Sequence, residues 1–240
     1  MLIAAGIVSV AVAVVAGLFY TGVVQLNHPS AARYPVRGVD VSSYQGVIDW
    51  PVLAGSGISF AYIKATEGSG DQDEFFARNL AGAGEAGLRA GAYHFFSFDS
   101  PGATQAGNFI ATVPKLEGML PPVVDVEFYG DHAGRPPGVA EVRRELGVLL
   151  AALADHYGVR PVIYATGDTY DRYIAGAFGD CDIWAPDWFG TPSLSDGRGW
   201  TFWQYSNRTH LAGYSGPEWF IDLNVFNGTA AEFEKYGTGA

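Results

Sequence analysis

The chain has 240 residues, 48% of them hydrophobic and 14% aromatic, with a formal net charge of −11. That length and composition support a sizeable core in one large domain or two small ones. The acidic balance excludes a sequence-independent grip on nucleic acid, which needs a basic footprint. One cysteine, Cys181, allows no internal disulfide, and with five scattered histidines it forms no metal-ligand pattern. Cys181 reads as a buried structural residue rather than a nucleophile, and neither a metal nor another cofactor is expected.

Residues 2–26, LIAAGIVSVAVAVVAGLFYTGVVQL, carry no charge. A helix needs ~20 residues to cross a hydrocarbon core. A secretory signal has a shorter apolar region of about 7–15 residues behind a basic start, and no Lys or Arg precedes this stretch. Residues 1–26 are therefore expected to form one N-terminal transmembrane helix, with a cleaved signal helix as the alternative. Arg33 and Arg37 follow it, and the positive-inside tendency argues for a cytoplasmic flank. Residues 27–37, NHPSAARYPVR, read as a linker, and the globular domain is expected over residues 38–240.

From Gly38 onward apolar runs alternate with helical patterns, the mark of a parallel βα sheet. RGVDVS is followed by Asp49, a predicted N-cap for WPVLAGSG. ISFAYIKATEG precedes the helical DEFFARNLAGAGEAG, and LRAGAYHFF precedes PGATQAGNFIATV. PPVVDVE leads to GVAEVRRELGVLLAALADHYG, the most strongly helical segment of the domain. RPVIYAT, the helical DTYDRYIAGAF, CDIWAPDW, WTFWQYS and EWFIDLNVF complete eight candidate strands, the last connections lacking clear helices. The count predicts an irregular, flattened, TIM-like β/α barrel. No strand leads into a Gly-x-Gly-x-x-Gly or Walker-type loop, so a nucleotide cofactor has no support.

In such a barrel the strand C-termini share one rim, where active sites are built. Side chains alternate along a strand, so Val123, Asp125 and Glu127 share a face opposite Val124, Val126 and Phe128. Asp40 ends the first strand and Asp222 the last, so three distant parts of the chain deliver acids to one rim. Period two also turns Tyr62, Tyr164, Trp184 and Gln204 toward the barrel. Each has a plainer reading: the aspartates as caps, the aromatics as core, and His94 as a hydrogen-bonded structural residue. Lys64 and Glu67 pair with each other or with the rim acids.

GVDVSSYQGVIDW, FAYIKATEG, the Phe and Asn of DEFFARN, GAYHFF, VVDVE, PVIYAT, IWAPDW, WQYS and IDLNVFNG occur in this order. Through them residues 38 to about 228 resemble the family 25 glycoside hydrolases, the Chalaropsis-type lysozymes. The resemblance implies a flattened β/α barrel and a lysozyme (muramidase) that cuts peptidoglycan between N-acetylmuramic acid and N-acetylglucosamine. It implies Glu127 as proton donor, with Asp125, Asp40 and Asp222 as its partners. Tyr62, Tyr93, Tyr164, Trp184 and Gln204 are the expected substrate-binding residues. A chitinase-like glycosidase also ends strand four in Asp-x-Glu, and a catalytically silent sugar-binding protein is the remaining alternative. The acid pair could work by inversion, by a covalent intermediate, or with the substrate's 2-acetamido group as nucleophile oriented by Asp125. A monomer is expected, exported and held at the outer face of the membrane, or secreted if the N-terminal segment is removed.

Overall fold

Strands covered on both faces read as near-continuous apolar runs, and these runs close into a barrel here. The computed structural model describes residues 20–238 together with Val14, Gly17 and Leu18. Its strands are β1 (Arg37–Val41), β2 (Phe60–Glu67), the two-residue β3 (Asp71–Gln72), β4 (Arg89–Phe95), β5 (Val123–Val126), β6 (Val162–Ala165), β7 (Asp182–Pro186), β8 (Phe202–Thr209) and β9 (Ile221–Phe226). β1, β2, β4, β5, β6, β7 and β8 pair in parallel in that order. β9 closes the ring, antiparallel to both β8 and β1. β3 only extends the end of β2.

The eight-stranded barrel agrees with the sequence pattern, but the direction of the last strand does not. Read as a parallel strand, β9 would carry Asp222 at its C-terminal end. Asp222 is the second residue of β9, opposite Asp40 in the β1–β9 register. Only the reversal of β9 brings that beginning to the rim where β1 ends. The reversal follows from a short connection: residues 210–220 contain no helix to carry the chain back across the barrel.

The helices are α1 (Trp50–Ala54), α2 (Phe76–Glu85), α3 (Gly102–Thr112), α4 (Val139–Tyr157) and α5 (Ala230–Lys235), with a further helical stretch over residues 167–174. Asp49 caps α1 through a 3.3 Å bond from Val52 N–H. α3 meets α4 so closely that a Cβ on Gly102 would lie 1.9 Å from the Glu145 carbonyl oxygen. The period-two faces separate two cores. Val39, Ile63, Val124, Val126 and Ile163 pack outward toward the helices. Phe60, Tyr62, Val123, Tyr164, Trp184 and Phe202 fill the barrel interior. Phe233 of α5 packs on Phe60 and Phe226, with ring centroids 5.4 and 5.2 Å away, and completes the interior cluster.

His94 is fully buried. Its Nδ1 lies 2.7 Å from Thr66 Oγ1 and its Nε2 2.9 Å from Gln105 Oε1. The Gln105 amide nitrogen donates to the Ser97 and Ser100 carbonyls, so its oxygen can only accept from the ring. His94 is thus a neutral, hydrogen-bonded strut. Burial lowers its pKa to about 4. Cys181 is buried, and desolvation pushes its thiol up to about 11, away from thiolate chemistry.

Most of the uncharged stretch expected to form an anchor lies outside the described residues. No helix among the described residues is long and apolar enough to cross a membrane. The end of the stretch lies on the barrel. Gln25 Nε2 donates to Thr209 Oγ1 at 2.6 Å, and Asn27 Nδ2 donates to the Asp187 and Gly190 carbonyls at 2.9 and 3.1 Å.

Candidate active site

β1, β5 and β9 each carry a carboxylate-bearing position at one end, and barrel closure makes these ends neighbours. Asp40, Asp125, Glu127 and Asp222 line one cavity of about 190 Å³. Lys64, Tyr93, Tyr164, Trp184 and Gln204 also line it, as do Ser42, Tyr44 and Phe95. The cavity thus holds every expected site residue except Tyr62. Tyr62 shares the inward face, but its ring lies deeper and fully buried, stacked 5.1 Å from Trp184 and edge-on 5.5 Å from Phe202. Its expected contact with substrate is therefore corrected: strand alternation gives the face but not the depth within the barrel.

A hydrogen-bond web orders the acids. Gln204 Nε2 donates to both Asp40 oxygens at 3.3 and 3.1 Å and to Asp222 Oδ2 at 3.0 Å. The Gln204 oxygen accepts from the Tyr164 hydroxyl at 3.0 Å. Asn224 Nδ2 donates to Asp40 Oδ2 at 2.7 Å, while its oxygen accepts from Trp184 Nε1 at 2.9 Å. Asn224 had a usable signal, since it lies two residues after Asp222 on the same face. Phe95 follows Tyr93 by the same rule. Ser42 caps a single 3-10 turn over Ser43–Gln45 that holds Tyr44, too short to show a period.

Crowding and burial govern the charges. Desolvation raises Asp40 to about 6, although bonds from Asn224 and Gln204 pull it down. Asp222 is raised by burial and then by Asp40 and Glu127. Burial, then Glu127 and Asp40, hold Asp125 well above the ordinary carboxylate range, with Lys64 opposing them. Glu127 is raised by burial and by Asp40, with the nearby Tyr164 hydroxyl opposing them. One oxygen of Asp125, Oδ1, is buried and has no hydrogen-bond partner among the described residues. Lys64 and Glu67 pair with each other at 2.6 Å, and Lys64 Nζ lies 5.2 Å from the centre of the Phe95 ring.

The loop after Glu127 is clasped to the end of β4. The Tyr129 hydroxyl donates to Asp99 Oδ2 at 2.7 Å and accepts from Phe98 N–H at 2.9 Å, and His132 Nε2 lies 3.1 Å from Asp99. Among the described residues no group of His, Cys, Asp or Glu is arranged to hold a metal ion. The arrangement suits acid catalysis: neighbouring carboxyl groups whose environments favour retaining a proton, beside aromatic and amide groups that can hold a sugar.

A raised folded-state pKa has a stability consequence. Below the unfolded pKa both states of Asp222 are protonated and nothing is lost. As pH rises, the unfolded chain releases the proton first, so wild-type stability falls as pH climbs toward the folded value. Asp222→Asn removes that loss and keeps an uncharged side chain of the same shape. Its thermal midpoint at pH 7 should exceed that of wild type, by roughly 2–4 °C for each kcal/mol relieved. The gap should close near pH 4. A lower midpoint at pH 7 contradicts this reading of the charges.

The family described as "Glycosyl hydrolases family 25" matches residues 39–214. A solved family 25 glycosyl hydrolase from Bacillus anthracis is 51% identical, with a TM-score of 0.85, over 89% of this chain and 98% of that one. The bacterial lysozyme from Streptomyces coelicolor is 33% identical, with a TM-score of 0.77, over 85% of this chain and 98% of that one. "Lysozyme M1" of Streptomyces globisporus is 32% identical over 207 residues, 82% of this chain and 69% of that protein. The chain therefore belongs to the glycosyl hydrolases of family 25.

Proposed function

We propose that the chain hydrolyses the β-1,4 bond between N-acetylmuramic acid and N-acetylglucosamine in bacterial peptidoglycan, with Glu127 as the general acid. The observation that carries this assignment is the crowding of Glu127 with Asp40 and Asp125 in a desolvated cavity. Glycosidic cleavage needs a carboxyl group that still holds its proton at working pH, and like charges together with burial provide one.

In this mechanism Glu127 protonates the glycosidic oxygen as the C–O bond breaks. Positive charge develops at the anomeric carbon. The carbonyl oxygen of the substrate's 2-acetamido group closes on that carbon, and its N–H is held by Asp125. Asp125, which lines the cavity, supplies the acceptor this requires. Burial, Glu127 and Asp40 favour the protonated form of Asp125 and Lys64 opposes them; a carboxyl oxygen accepts the amide N–H in either form. Water then opens the cyclic intermediate, with the Glu127 carboxylate as base. Tyr93, Tyr164, Trp184 and Gln204 hold the sugar, while Asp40 and Asp222 set the field around it.

The uncharged stretch before Tyr20 acts as an anchor that keeps the barrel outside the cytoplasmic membrane, where peptidoglycan lies, while Tyr20 and Gln25 stay on the barrel. The absence of charge over that stretch supports this reading. Full-length protein should sediment with membranes, resist high salt and dissolve in detergent. Protein in the medium beginning after residue 26 would show a cleaved signal instead.

Glu127→Gln keeps the side chain's shape but cannot supply the proton. Release of reducing ends from purified peptidoglycan should fall ~10²–10⁴-fold, with the thermal midpoint little changed. Retention of more than about a tenth of wild-type turnover contradicts the assignment of the acid. A glycosyl adduct on Asp125, trapped with a fluorosugar, contradicts the acetamido route.

A further inference from the structure

The catalytic cavity opens sideways into a second compartment of about 460 Å³ that shares Asp40, Ser42, Tyr44, Tyr93 and Asp222 with it. The far wall holds Asn207, Arg208, Glu218 and Phe220. Among the described residues lining this compartment, Arg208 is the one cation. Glu218 is turned to its own chain, accepting Phe220 N–H at 3.0 Å.

Arg208 is fixed in place. Its Nη1 donates to the Tyr20 carbonyl at 2.9 Å. Its guanidinium lies 4.7 Å from the Tyr20 ring centre and 5.4 Å from that of Phe220. Gly22 makes this approach possible: its φ is +71°, and a Cβ there would lie 2.1 Å from the Arg208 carbonyl oxygen. The stretch that holds Arg208 precedes the family match, which begins at residue 39. Nε and Nη2 of Arg208 have no hydrogen-bond partner among the described residues. A planar cation stacked on rings, with donors left over, is preorganised to take a carboxylate.

We infer that Arg208 is a specificity-determining residue that binds a carboxylate of the peptide stem on muramic acid. This rests on the peptidoglycan reading above. A muramic acid with its anomeric carbon beside Glu127 bears its lactyl-peptide arm two ring carbons away, and that arm is assigned to the second compartment, which shares a wall with the catalytic cavity. Asp40 and Asp222 in the shared wall are raised in pKa and so oppose an anion less than two ordinary aspartates do. Chitin, which has no such arm, gains nothing from Arg208.

The test compares purified peptidoglycan carrying its peptide stems with the same glycan after an amidase has removed them and the lactyl carboxylates thereby freed have been capped as methylamides. Full-length wild type, Arg208→Gln and Arg208→Lys are each assayed on both. The readout is the ratio of kcat/KM on the stem-bearing to the stem-free substrate. Arg208→Gln should lower the ratio by about 10-fold or more, mainly through KM, as loss of a charge-assisted hydrogen bond does. Arg208→Lys should recover part of the ratio, and the wild-type ratio should fall as salt is raised. A ratio unchanged in Arg208→Gln, whether both activities fall equally or neither falls, overturns the inference. Wild type that cuts neither substrate overturns the peptidoglycan reading itself and this inference with it.

Discussion

Four carboxyl groups in one desolvated cavity are the constraint around which the rest of the structure is arranged. Water solvates an isolated carboxylate well, and moving it into a protein interior favours the neutral form. Placing several together adds mutual repulsion, so protons are retained where single surface acids would have lost them. Asp40, Asp125, Glu127 and Asp222 are all shifted upward, in each case with burial as the first cause. That arrangement costs stability at neutral pH, and the surroundings are built to bear it. Gln204 and Asn224 supply donors to Asp40 and Asp222. Those amides are in turn fixed by Tyr164 and Trp184 from two other strands.

The departures of the barrel from regularity have the same origin. A parallel eighth strand would carry the beginning of IDLNVF to the opposite end from Asp40. The antiparallel β9 instead sets Asp222 directly against Asp40 in register. The connections flanking β8 contain no helix, which leaves that side of the barrel uncovered by the helical layer. The second compartment lies on that side, walled by the 207–220 hairpin, and the end of the N-terminal stretch is laid along it through Tyr20, Gln25 and Asn27. The interior below the acids is packed with aromatic rings. Tyr62 is part of that floor, and it supports Trp184, which lines the site above.

Strand alternation made much of this legible. It separated Val123 and Asp125 from Val124 and Val126, and those residues do fall on the interior and helix-facing sides respectively. It placed Tyr164, Trp184 and Gln204 inward, and it would have added Asn224 and Phe95 had it been carried two residues further along each strand. Alternation is blind to height along the barrel axis, so Tyr62 looked like a site residue. It is also blind to strand direction, which depends on the length and content of the preceding connection. The turn carrying Ser42 and Tyr44 has no period to read. Gln25 meets the Thr209 hydroxyl and Asn27 the Asp187 and Gly190 carbonyls, with sequence separations of 184, 160 and 163 residues, and no local pattern encodes such pairings.

The central claim is that burial and neighbouring carboxylates keep the Glu127 proton in place. Titrating its carboxyl carbon by ¹³C NMR tests this most directly, with the resonance assigned by its loss in Glu127→Gln. The account predicts a midpoint clearly above the ordinary glutamate value of 4.5. It also predicts a partial return toward that value in Asp40→Asn, since burial remains while one charge is removed. A midpoint at or below 4.5, or one indifferent to Asp40→Asn, contradicts it.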